Sequence, residues 1–357
     1  MEEEPVAERN GNYRVGCVGA GFAASVYHLP VQQRVEGVET VAIADLDLDL
    51  ARQRADEFGI PEVYGPFEDM ISQADLDIVS VCVPPFLHLA VTKAAAAAGV
   101  HVICEKPMAA SPEEVAELLQ VVEDSGIKFM IAENFWWYPD LVDAKQRIDA
   151  GMIGDLFHVR VEEFINDIDP TYRRDQERFL MYEQDVHYID VIRHLVEADV
   201  VRVHAMTRQI ATQQLAGENF AMITMEFDNG VIARIDECWV SARGDQYVMR
   251  MRIDGTLGSI FINQPDHPYR LYTDKPGVEG WHYPPTDTKP PGGHTVGYSA
   301  PWPADELREG TVGCYVAFLD YLDNGIPPVT VASDNAKTME VVFAAYESAE
   351  TQQVIHL

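Results

Sequence analysis

Short apolar runs alternate with helical stretches over the first third of the chain. Two of the helices have readable ends: Phe86–Ala98 stops at Gly99, and Ser111–Glu114 is a capping box with proline at the first helical position, opening a helix that Gly126 closes. This alternation predicts a doubly wound parallel sheet within residues 13–134. The strand candidates are Tyr13–Val18, Thr40–Ala44, Ile78–Val83, Val100–Cys104 and Lys128–Ala132.

From about residue 155 the pattern changes to consecutive long strands with few helices between them. Asp228-Asn229-Gly230 separates two of these strands and predicts a hairpin turn. The pattern is typical of an antiparallel sheet in an α+β domain, which we assign to residues 135–357. The strand candidates are Leu156–Phe164, Val200–Gln209, Asn219–Phe227, Val231–Val240, Tyr247–Ile253 and Ser259–Asn263.

Residues 264–306 are rich in proline, glycine and aromatic residues and show no periodicity. A loop of this length in a compact domain is usually a lid, a substrate wall or an oligomer arm. Two helices are predicted after it, about Val312–Asn324, closed by Gly325, and Asp334–Gln352. Residues 1–12 are acidic and are predicted to be a flexible N-terminus.

The composition indicates a folded protein of two domains. The 357 residues are 47% hydrophobic, and no apolar run reaches the ~18–20 residues that span a bilayer. The acidic N-terminus lacks the layout of a secretory signal, so we expect a cytoplasmic protein. The cysteines fit that expectation, because they are odd in number and mostly lie in strand-like runs, which favours buried thiols over disulfides or a zinc site; we predict no metal.

Charge is the unusual bulk feature of this sequence. Twenty-six Lys and Arg against 58 Asp and Glu give a net charge of −32, which excludes nucleic acid and anionic membranes as partners. The acidic residues are spread along the whole chain, and such an excess destabilises a compact fold unless salt screens it. Two sources remain open, a salty cytoplasm or an ordinary acidic enzyme from a GC-rich genome.

The first predicted strand leads into a glycine motif. Gly19–Ala24 reads G-x-G-x-x-A, in which the first glycine permits a tight turn, the second lets the backbone approach a pyrophosphate, and the small third residue lets helix and strand pack closely. The following helix is expected to present its amides to the phosphates. Asp45 ends the second strand about 20 residues on, where an acid grips ribose hydroxyls. Because Asp45 repels a 2′-phosphate and Leu46 offers no cation, the motif favours NAD over NADP.

Two separated segments carry candidate catalytic groups. Lys106 follows a parallel strand within Glu105-Lys106-Pro107, at the sheet edge where ligands bind, and its bond to Pro107 can adopt cis at modest cost. His187 titrates near neutrality and is a candidate proton acceptor. If its segment is helical throughout, Glu183, His187 and Asp190 share one face at spacings of four and three. Alone, such a histidine is more often an ordinary helix residue than a base.

The chain resembles the glucose–fructose oxidoreductase / inositol dehydrogenase (Gfo/Idh/MocA) family along nearly its whole length. The matching segments follow the order of the family: Gly19–Ala24, Val83-Pro84-Pro85 with His88, Glu105-Lys106-Pro107, Asn134 with Pro139, Ala150–Gly154, His187 with Asp190, Gly255–Ser259 and Ala345–Ala349. The joint agreement at Lys106 and at His187 with Asp190 favours the catalytic interpretation of the histidine.

The resemblance implies an NAD-binding Rossmann domain, a second domain with a large open sheet that often pairs subunits as dimers or tetramers, and chemistry on cyclic polyols, aldoses or glycosides. It implies that Lys106 donates a hydrogen bond to the reacting oxygen, that His187 accepts the hydroxyl proton and that Glu183 assists. The residues implied to contact the cofactor are Gly19, Gly21, Phe22, Ala23, Ala24, Asp45, Leu46, Val83, Pro84, Pro85, His88, Glu105, Lys106 and Asn134.

Two departures from the family pattern affect the substrate side. Many members have aspartate where Glu183 stands and arginine where Trp136 stands. Trp136 and Trp137 can stack on the apolar face of a sugar ring or simply fill space. Tyr172 and Arg173, in the loop before the catalytic helix, either meet substrate hydroxyls or are solvated.

The sequence therefore predicts an NAD-dependent oxidoreductase that acts on the CH–OH group of a sugar, inositol or sugar derivative. Two alternatives remain open. One is a hydrolase or lyase that oxidises a sugar only transiently and regenerates NAD in each cycle. The other is a non-catalytic NAD-binding regulator, against which the presence of Lys106 and His187 counts.

Overall fold

The computed structural model describes residues 11–165, 172–210, 215–241, 249–263, 267–282 and 304–357. They form two compact units. The first contains the described residues up to Asn134 together with Leu307–Lys337, and the second contains those between Phe135 and Glu306 together with Thr338–Leu357. Assigning all of 135–357 to the second domain was therefore wrong for residues 307–337, because this late segment packs with the first unit.

The strands of the described chain are numbered in chain order. They are β1 Tyr13–Val18, β2 Val38–Ala44, β3 Glu62–Tyr64, β4 Ile78–Val81, β5 His101–Cys104, β6 Phe129–Ile131, β7 Leu156–Phe164, β8 Val200–Arg208, β9 Phe220–Phe227, β10 Ile232–Cys238, β11 Met249–Gly255, β12 Gly258–Asn263, β13 His267–Thr273, β14 Gly280–His282 and β15 Ile355–His356.

The α-helices are numbered in the same way. They are α1 Leu29–Gln32, α2 Leu48–Phe58, α3 Phe67–Gln73, α4 His88–Ala98, α5 Pro112–Ser125, α6 Pro139–Asp149, α7 Val186–Val196, α8 Ala304–Asn324 and α9 Ala332–Thr351. Short π-helical turns precede α1 and α7, and a 3-10 turn precedes α4.

A parallel sheet in the order β3-β2-β1-β4-β5-β6 forms the centre of the first unit. All five predicted strands are present, with ends that shift by at most two residues. The strand β3 was not predicted, because three half-buried residues give no readable periodicity. The strand order reverses beside β1 and β4, and ligands of such sheets bind at the carboxyl ends of the strands near this reversal.

The helix signals of the first unit are mostly confirmed. The Ser111 hydroxyl caps α5 by accepting the amide of Glu114 at 3.2 Å, and the Glu114 carboxylate reaches back to the amide of Ala110 at 2.9 Å. Two predicted starts were wrong. The helix predicted from Phe86 begins as a 3-10 turn after the proline pair and becomes α4 only at His88, and α8 begins at Ala304, eight residues before the predicted Val312.

The second unit contains a larger sheet in the order β14-β13-β12-β11-β7-β10-β9-β8-β15. Its pairs are antiparallel apart from β7 with β10, so the sheet is mixed and mostly antiparallel. Side chains alternate along each strand, as the period of two requires. One face is the buried core, with Val159, Val161, Ile223 and Ile235, and the opposite face carries charged and aromatic residues.

The six strands predicted for this unit are present, and the hairpin between β9 and β10 turns at Asp228-Asn229-Gly230 as expected. Describing 264–306 as a stretch without periodicity was wrong, because β13 and β14 lie within it. Tyr269 and Tyr272 lie on opposite faces of β13, and β14 is only three residues long, so neither strand shows a clear apolar alternation. Residues 283–303 lie outside the described part, so the prediction of a lid, wall or arm stays a prediction there.

Two glycine motifs of the family pattern, Ala150–Gly154 and Gly255–Ser259, pack against each other. Gly255, from Gly255–Ser259, lies so close to Ile153 of Ala150–Gly154 that a Cβ would stand 2.2 Å from the Ile153 carbonyl oxygen. The amide of Leu257 donates to that same oxygen at 2.7 Å. These motifs therefore fix the end of β11 against the start of β7 and supply no reactive group.

The cysteine and membrane predictions can be compared with the structure. Cys17, Cys82, Cys104, Cys238 and Cys314 are all described, are buried and form no disulfide, which confirms buried thiols. Within the described ranges, no helix combines the length and the apolar character needed to cross a membrane.

Candidate functional site

The glycine motif forms a tight loop at the carboxyl end of β1. Gly19 has φ +98°, a value that favours glycine, and its amide donates to the Ala44 carbonyl of the neighbouring β2 at 2.8 Å. A Cβ at Gly19 would stand 2.4 Å from the Cys82 carbonyl oxygen, whereas a Cβ at Gly21 would meet no atom within 4 Å. The backbone is therefore locked at Gly19 and open at Gly21, the form that a bound pyrophosphate requires.

The segment after this loop differs from the expected α-helix. Ala24–His28 is a π-helical turn, and α1 begins only at Leu29. Ala24 is fully buried, as the small third position of the motif predicts, and Phe22 is 65% exposed with its ring edge against Tyr27. The amides that face the loop therefore come from a wider turn than an α-helix provides.

Asp45 lies at the end of β2 beside the glycine loop. One of its carboxylate oxygens accepts the Ala20 amide at 2.8 Å, and the other accepts the Asp47 amide at 2.8 Å. These bonds fix a negative charge next to the loop, and the neighbouring Leu46 is 85% exposed. The loop and Asp45 fit NAD, because the acid sits where ribose hydroxyls are bound and adds no cation for a 2′-phosphate.

Lys106 follows β5, at the same end of the sheet as the glycine loop. The Lys106–Pro107 peptide is cis, and the Lys106 side chain is half-buried. The neighbouring loop, Val83–Pro85, follows β4. His88 joins the two loops, because its ring nitrogens lie 2.9 Å from the Val83 carbonyl and 3.0 Å from the Pro107 carbonyl.

His88 is fully buried, which affects the pKa of its ring. Burial, as the largest influence, lowers the pKa of His88, so the ring is neutral and carries one N–H. Each ring nitrogen faces a backbone carbonyl, and the single N–H of the neutral ring donates to one of the two. His88 therefore lies between the two loops, and its assignment to the cofactor site stays a prediction.

Glu105 is also held by the protein. One carboxylate oxygen lies 2.8 Å from Nε2 of the buried His28, and the other accepts the Lys106 amide at 3.2 Å. Nδ1 of His28 lies 2.9 Å from the hydroxyls of Ser80 and Tyr315. This buried network anchors the first residue of Glu105-Lys106-Pro107 and so sets the position of the lysine backbone.

The second set of candidate residues lies at the start of α7. Met181–Asp185 is a π-helical turn and the α-helix begins at Val186, so the condition that the segment is α-helical throughout is not met. His187 and Asp190 share one α-helical face, whereas Glu183 precedes them in a wider turn. All three are at least 95% buried.

Asp190 is held as a charged group. Burial alone would raise the pKa of its carboxyl, but His194, Thr338 and Arg193 outweigh this effect and keep that pKa below its ordinary value. The Thr338 hydroxyl donates to the carboxylate at 2.8 Å, and His194 lies 3.3 Å from it. Asp190 therefore anchors α7 by its polar contacts with Thr338 of α9 and with His194.

His187 is in contact with an aromatic ring that sequence reasoning missed. The Phe135 ring lies flat against the imidazole, with centroids 4.1 Å apart and planes 8° from parallel. Phe135 belongs to the 3-10 turn Asn134–Trp137, inside an aromatic run of four residues. The aromatic run was visible in the sequence, but it did not indicate which of its four rings contacts His187.

The start of the segment that carries His187 is also anchored by two residues that were not predicted. The Glu218 carboxylate accepts the amides of Phe179 and Met181 at 3.2 and 3.3 Å. The Tyr346 hydroxyl donates to Glu218 at 2.6 Å and accepts the Tyr182 amide at 3.1 Å. Tyr346 lies in the Ala345–Ala349 motif, so the motif was visible in the sequence while its contact was not.

Three further carboxyls are buried below this segment. Glu163 on β7 accepts the Tyr188 hydroxyl at 2.7 Å, and Glu237 on β10 accepts the Trp239 indole N–H at 2.5 Å, with Asp185 beside them. Burial raises the pKa of Glu163 to about 7 and that of Asp185 to about 7. Burial and then the neighbouring carboxyls raise the pKa of Glu237 well above its ordinary value.

The remaining predicted substrate contacts divide into three cases. Trp136 is 9% exposed and packs against the His194 ring, and its role toward the substrate stays a prediction. Trp137 is half-buried, and its role toward the substrate stays a prediction. The side chains of Tyr172 and Arg173 lie outside the described residues.

Two family models match the chain in succession. Residues 13–133 match a model described as "Oxidoreductase family, NAD-binding Rossmann fold", and residues 141–261 match the "GFO/IDH/MocA C-terminal domain". Together these segments contain the glycine loop, Lys106, His187 and most of the larger sheet.

Several characterised proteins are similar to the chain over almost its full length. D-apiose dehydrogenase of Paraburkholderia graminis is 29% identical over 352 residues, which cover 97% of this chain and 90% of that protein. D-xylose 1-dehydrogenase (NADP(+)) 2 of Haloferax volcanii is 28% identical over 350 residues, or 96% and 98% of the two chains. An oxidoreductase from Agrobacterium radiobacter, solved with NAD+, L-tartaric acid and magnesium, has a TM-score of 0.86 at 27% identity, covering 97% of this chain and 98% of that one.

Proposed function

The chain belongs to the Gfo/Idh/MocA oxidoreductase family as an NAD(P)-dependent dehydrogenase, and we propose that its substrate is the CH–OH group of a sugar, inositol or sugar derivative. The observation that carries this proposal is the full-length similarity to two proteins named as pentose dehydrogenases, in a chain that has Lys106 and His187 at the family positions. Pentoses and closely related polyols are therefore the first substrates to test.

Lys106 is the proposed hydrogen-bond donor to the reacting oxygen. Its ammonium presents three N–H donors and a positive charge, which stabilise the oxygen as it loses its proton. The Glu105–His28 bond holds the start of Glu105-Lys106-Pro107 at the carboxyl end of β5. NAD, when bound beside the glycine loop and Asp45, supplies the hydride acceptor.

His187 is the proposed general base that takes the proton of the same hydroxyl. A positioned base contributes roughly 10²–10⁴-fold, and a neutral imidazole is suited to that role at physiological pH. Glu183 precedes it in the π-helical turn, 2% exposed, and is proposed to orient the histidine or the substrate. Because glutamate is longer than the aspartate common in the family, the substrate pose is expected to differ from that of many members.

The test is a dehydrogenase screen of pentoses, other aldoses, inositols and glycosides with NAD, at low and high salt. Net formation of NADH supports a dehydrogenase, whereas product formation without net NADH supports the hydrolase or lyase alternative. NAD binding without turnover of any substrate would support the regulator.

The residue roles are tested on the best substrate of that screen. Lys106→Ala and His187→Ala should each lower kcat by roughly 10²-fold or more while NAD affinity stays nearly unchanged. Lys93→Ala is a control, because Lys93 is exposed on α4 and belongs to neither segment. Near-native kcat in His187→Ala would show that a group other than His187 removes the hydroxyl proton.

We also propose that two copies of the chain pair through the outer face of the nine-stranded sheet. The cross-strand register places Phe164, Met206, Ile232 and Trp281 on this face, each 40–49% exposed. Exposed apolar side chains that share one face are typical of an interaction surface.

The charge of this face also supports pairing. Within the described residues it carries seven arginines and four carboxylates, in a chain whose net charge is −32. Most of the carboxylates pair locally, as Arg160 and Arg234 do with Asp236, and as Arg252 does with Asp254. Arg252 and Arg270 also lie over the Phe261 ring. Two copies that meet through this face therefore avoid the repulsion between acidic surfaces that the net charge of the chain would otherwise cause.

A further inference from the structure

The contact between Phe135 and His187 is closer than most aromatic pairs in proteins. Ring centroids of such pairs are usually ~4.5–7 Å apart, whereas these lie 4.1 Å apart with planes 8° from parallel. At this separation the two faces touch, and no water fits between them. Phe135 is 9% exposed and His187 is 5% exposed, so the pair lies inside the second unit.

Phe135 itself is held on two sides. Its ring packs against Tyr138 with centroids 5.0 Å apart, and against the edge of Tyr188 at 5.6 Å. The Phe135 carbonyl accepts the Tyr138 amide at 3.0 Å, which fixes the backbone of the turn. The Tyr188 hydroxyl is bound to Glu163 at 2.7 Å, so the edge contact is anchored as well. A ring fixed in this way acts as a rigid wall for its neighbour.

A rigid wall matters because an imidazole ring turns easily. The last side-chain torsion of histidine is broad and roughly two-fold, so staggering alone does not define the ring plane. The positions of Nδ1 and Nε2 nevertheless depend on that plane, and a general base must be within hydrogen-bonding reach of the proton it accepts. A flat ring against one face of His187 removes most of this rotational freedom.

We propose that Phe135 is a positioning residue for His187, whose stacked ring fixes the imidazole plane so that one nitrogen is held ready for the substrate hydroxyl. This role rests on the proposed function, in which His187 is the base. Phe135 makes no bond to substrate in the proposal and acts only through the histidine. An aromatic face at this position is therefore required, and an aliphatic side chain of similar bulk is not equivalent.

The contact itself is tested by NMR without any assay of activity. In protein labelled with carbon-13 at the histidine Cε1 position, the Hε1 proton of His187 should lie upfield of the other histidine signals, because the stacked ring shields it. His187→Asn assigns the signal by its loss. In Phe135→Leu the signal should return to the range of the other histidines, whereas the exposed Phe157→Leu should leave it in place.

The consequence is tested by kinetics on the same proteins. Phe135→Leu should lower kcat by roughly 10-fold or more with little change in the KM for NAD, because displacing a reacting group by ~1 Å costs up to ~10²-fold. Phe135→Tyr, which keeps the aromatic face, should restore most of kcat, and Phe157→Leu should retain it. Circular dichroism and thermal unfolding confirm that each variant is folded.

The outcomes separate this proposal from the proposed function. Near-native kcat in His187→Asn would overturn the assignment of the base. The His187 signal of the wild type would still report on the stacking with Phe135. A wild-type His187 signal without upfield displacement, or a folded Phe135→Leu enzyme with native kcat, would overturn the positioning role. If Phe135→Tyr is folded and as slow as Phe135→Leu, the aromatic face is not what His187 requires, and the proposal fails.

Discussion

The Tyr346 hydroxyl donates a hydrogen bond to the Glu218 carboxylate at 2.6 Å and accepts one from the Tyr182 amide at 3.1 Å. Glu218 accepts two further backbone amides of the same segment. A single buried pair thus satisfies several amides at the beginning of the segment that carries His187. Helix starts leave such amides without intrahelical partners, and here residues distant in sequence provide the acceptors.

We expect Tyr346→Phe to lower the free energy of unfolding by about 1–3 kcal/mol, because it leaves a buried amide and a buried carboxylate each without one partner. Tyr64→Phe is the matched control, since it removes a more exposed hydroxyl bonded to the nearby Glu62. Urea unfolding at constant pH measures both variants. Equal stabilities for the two would show that the Tyr346 pair does not anchor the segment.

The buried carboxyls Glu163, Asp185 and Glu237 make stability depend on pH. Because burial raises their pKa values in the folded state, each binds its proton more tightly there than in the unfolded chain. For Glu163 and Asp185 this contribution is fully present below the ordinary carboxyl pKa and is lost as the pH rises through about 7. The free energy of unfolding therefore falls in this window by up to roughly 1.4 kcal/mol per pH unit and carboxyl.

Glu163→Gln should weaken that dependence. The variant is expected to match the wild type near about pH 5, where Glu163 is protonated, and to exceed it near about pH 8, where the wild type holds a buried charge. Glu39→Gln is the control for the loss of one negative charge, because Glu39 is exposed on β2. Urea unfolding at several pH values measures the free energy of unfolding of the wild type and of both variants. A difference between Glu163→Gln and wild type that stays constant with pH would contradict a raised pKa at Glu163.

The cofactor preference is expected to depend on the Asp45 charge. The enzyme should have a higher kcat/KM with NAD than with NADP, and Asp45→Asn should narrow this ratio by removing the charge that repels a 2′-phosphate. Asparagine is preferable to a smaller residue, because its side-chain oxygen can still accept the Ala20 or Asp47 amide. Asp49→Asn is the control, because Asp49 is an exposed residue of α2. Equal use of both cofactors by the wild type would refute the preference.

The glycine loop and Asp45 could be predicted from sequence because their geometry follows from a few adjacent residues and one fixed interval. Lys106 and His187 could be predicted only through the family pattern, since nothing local distinguishes His187 from an ordinary helical histidine. The contacts of Tyr346 could not be predicted, because the hydroxyl meets amides up to 164 residues away in the sequence. Pairings of that kind are set by tertiary packing, which leaves no periodic signal.

The failures along the helices have a local physical cause. Residues such as Met181–Asp185 satisfy the rules for an α-helix, and a π-helical turn differs from one by a single extra residue per hydrogen-bonded ring. Hydrophobic periodicity over five residues is too short to distinguish the two. His88 shows a related limit of sequence patterns. The family motif identified His88 as a site residue, but only the structure shows that its two ring nitrogens face backbone carbonyls.

Salt should stabilise this protein if its charge causes self-repulsion in the folded state. With a net charge of −32, Tm is expected to rise markedly from dilute buffer to molar NaCl or KCl, where the screening length falls to about 3 Å. Sucrose is the control, since it stabilises folded proteins without screening charge. A Tm that does not change with salt would indicate an ordinary acidic enzyme.

The association of two copies through the sheet is expected to depend on Ile232, which lies 47% exposed on the outer face of β10. Ile232→Glu should reduce the molar mass measured by light scattering after size exclusion, because it adds an unpaired charge to a desolvated contact. Ile326→Glu is a matched control, since Ile326 is 58% exposed and belongs to the first unit. High salt should not restore pairing of Ile232→Glu, because the desolvation cost of the new carboxylate remains after charges are screened. A wild type at the 39.9 kDa of one chain, or an Ile232→Glu variant with unchanged mass, would rule out pairing through this face.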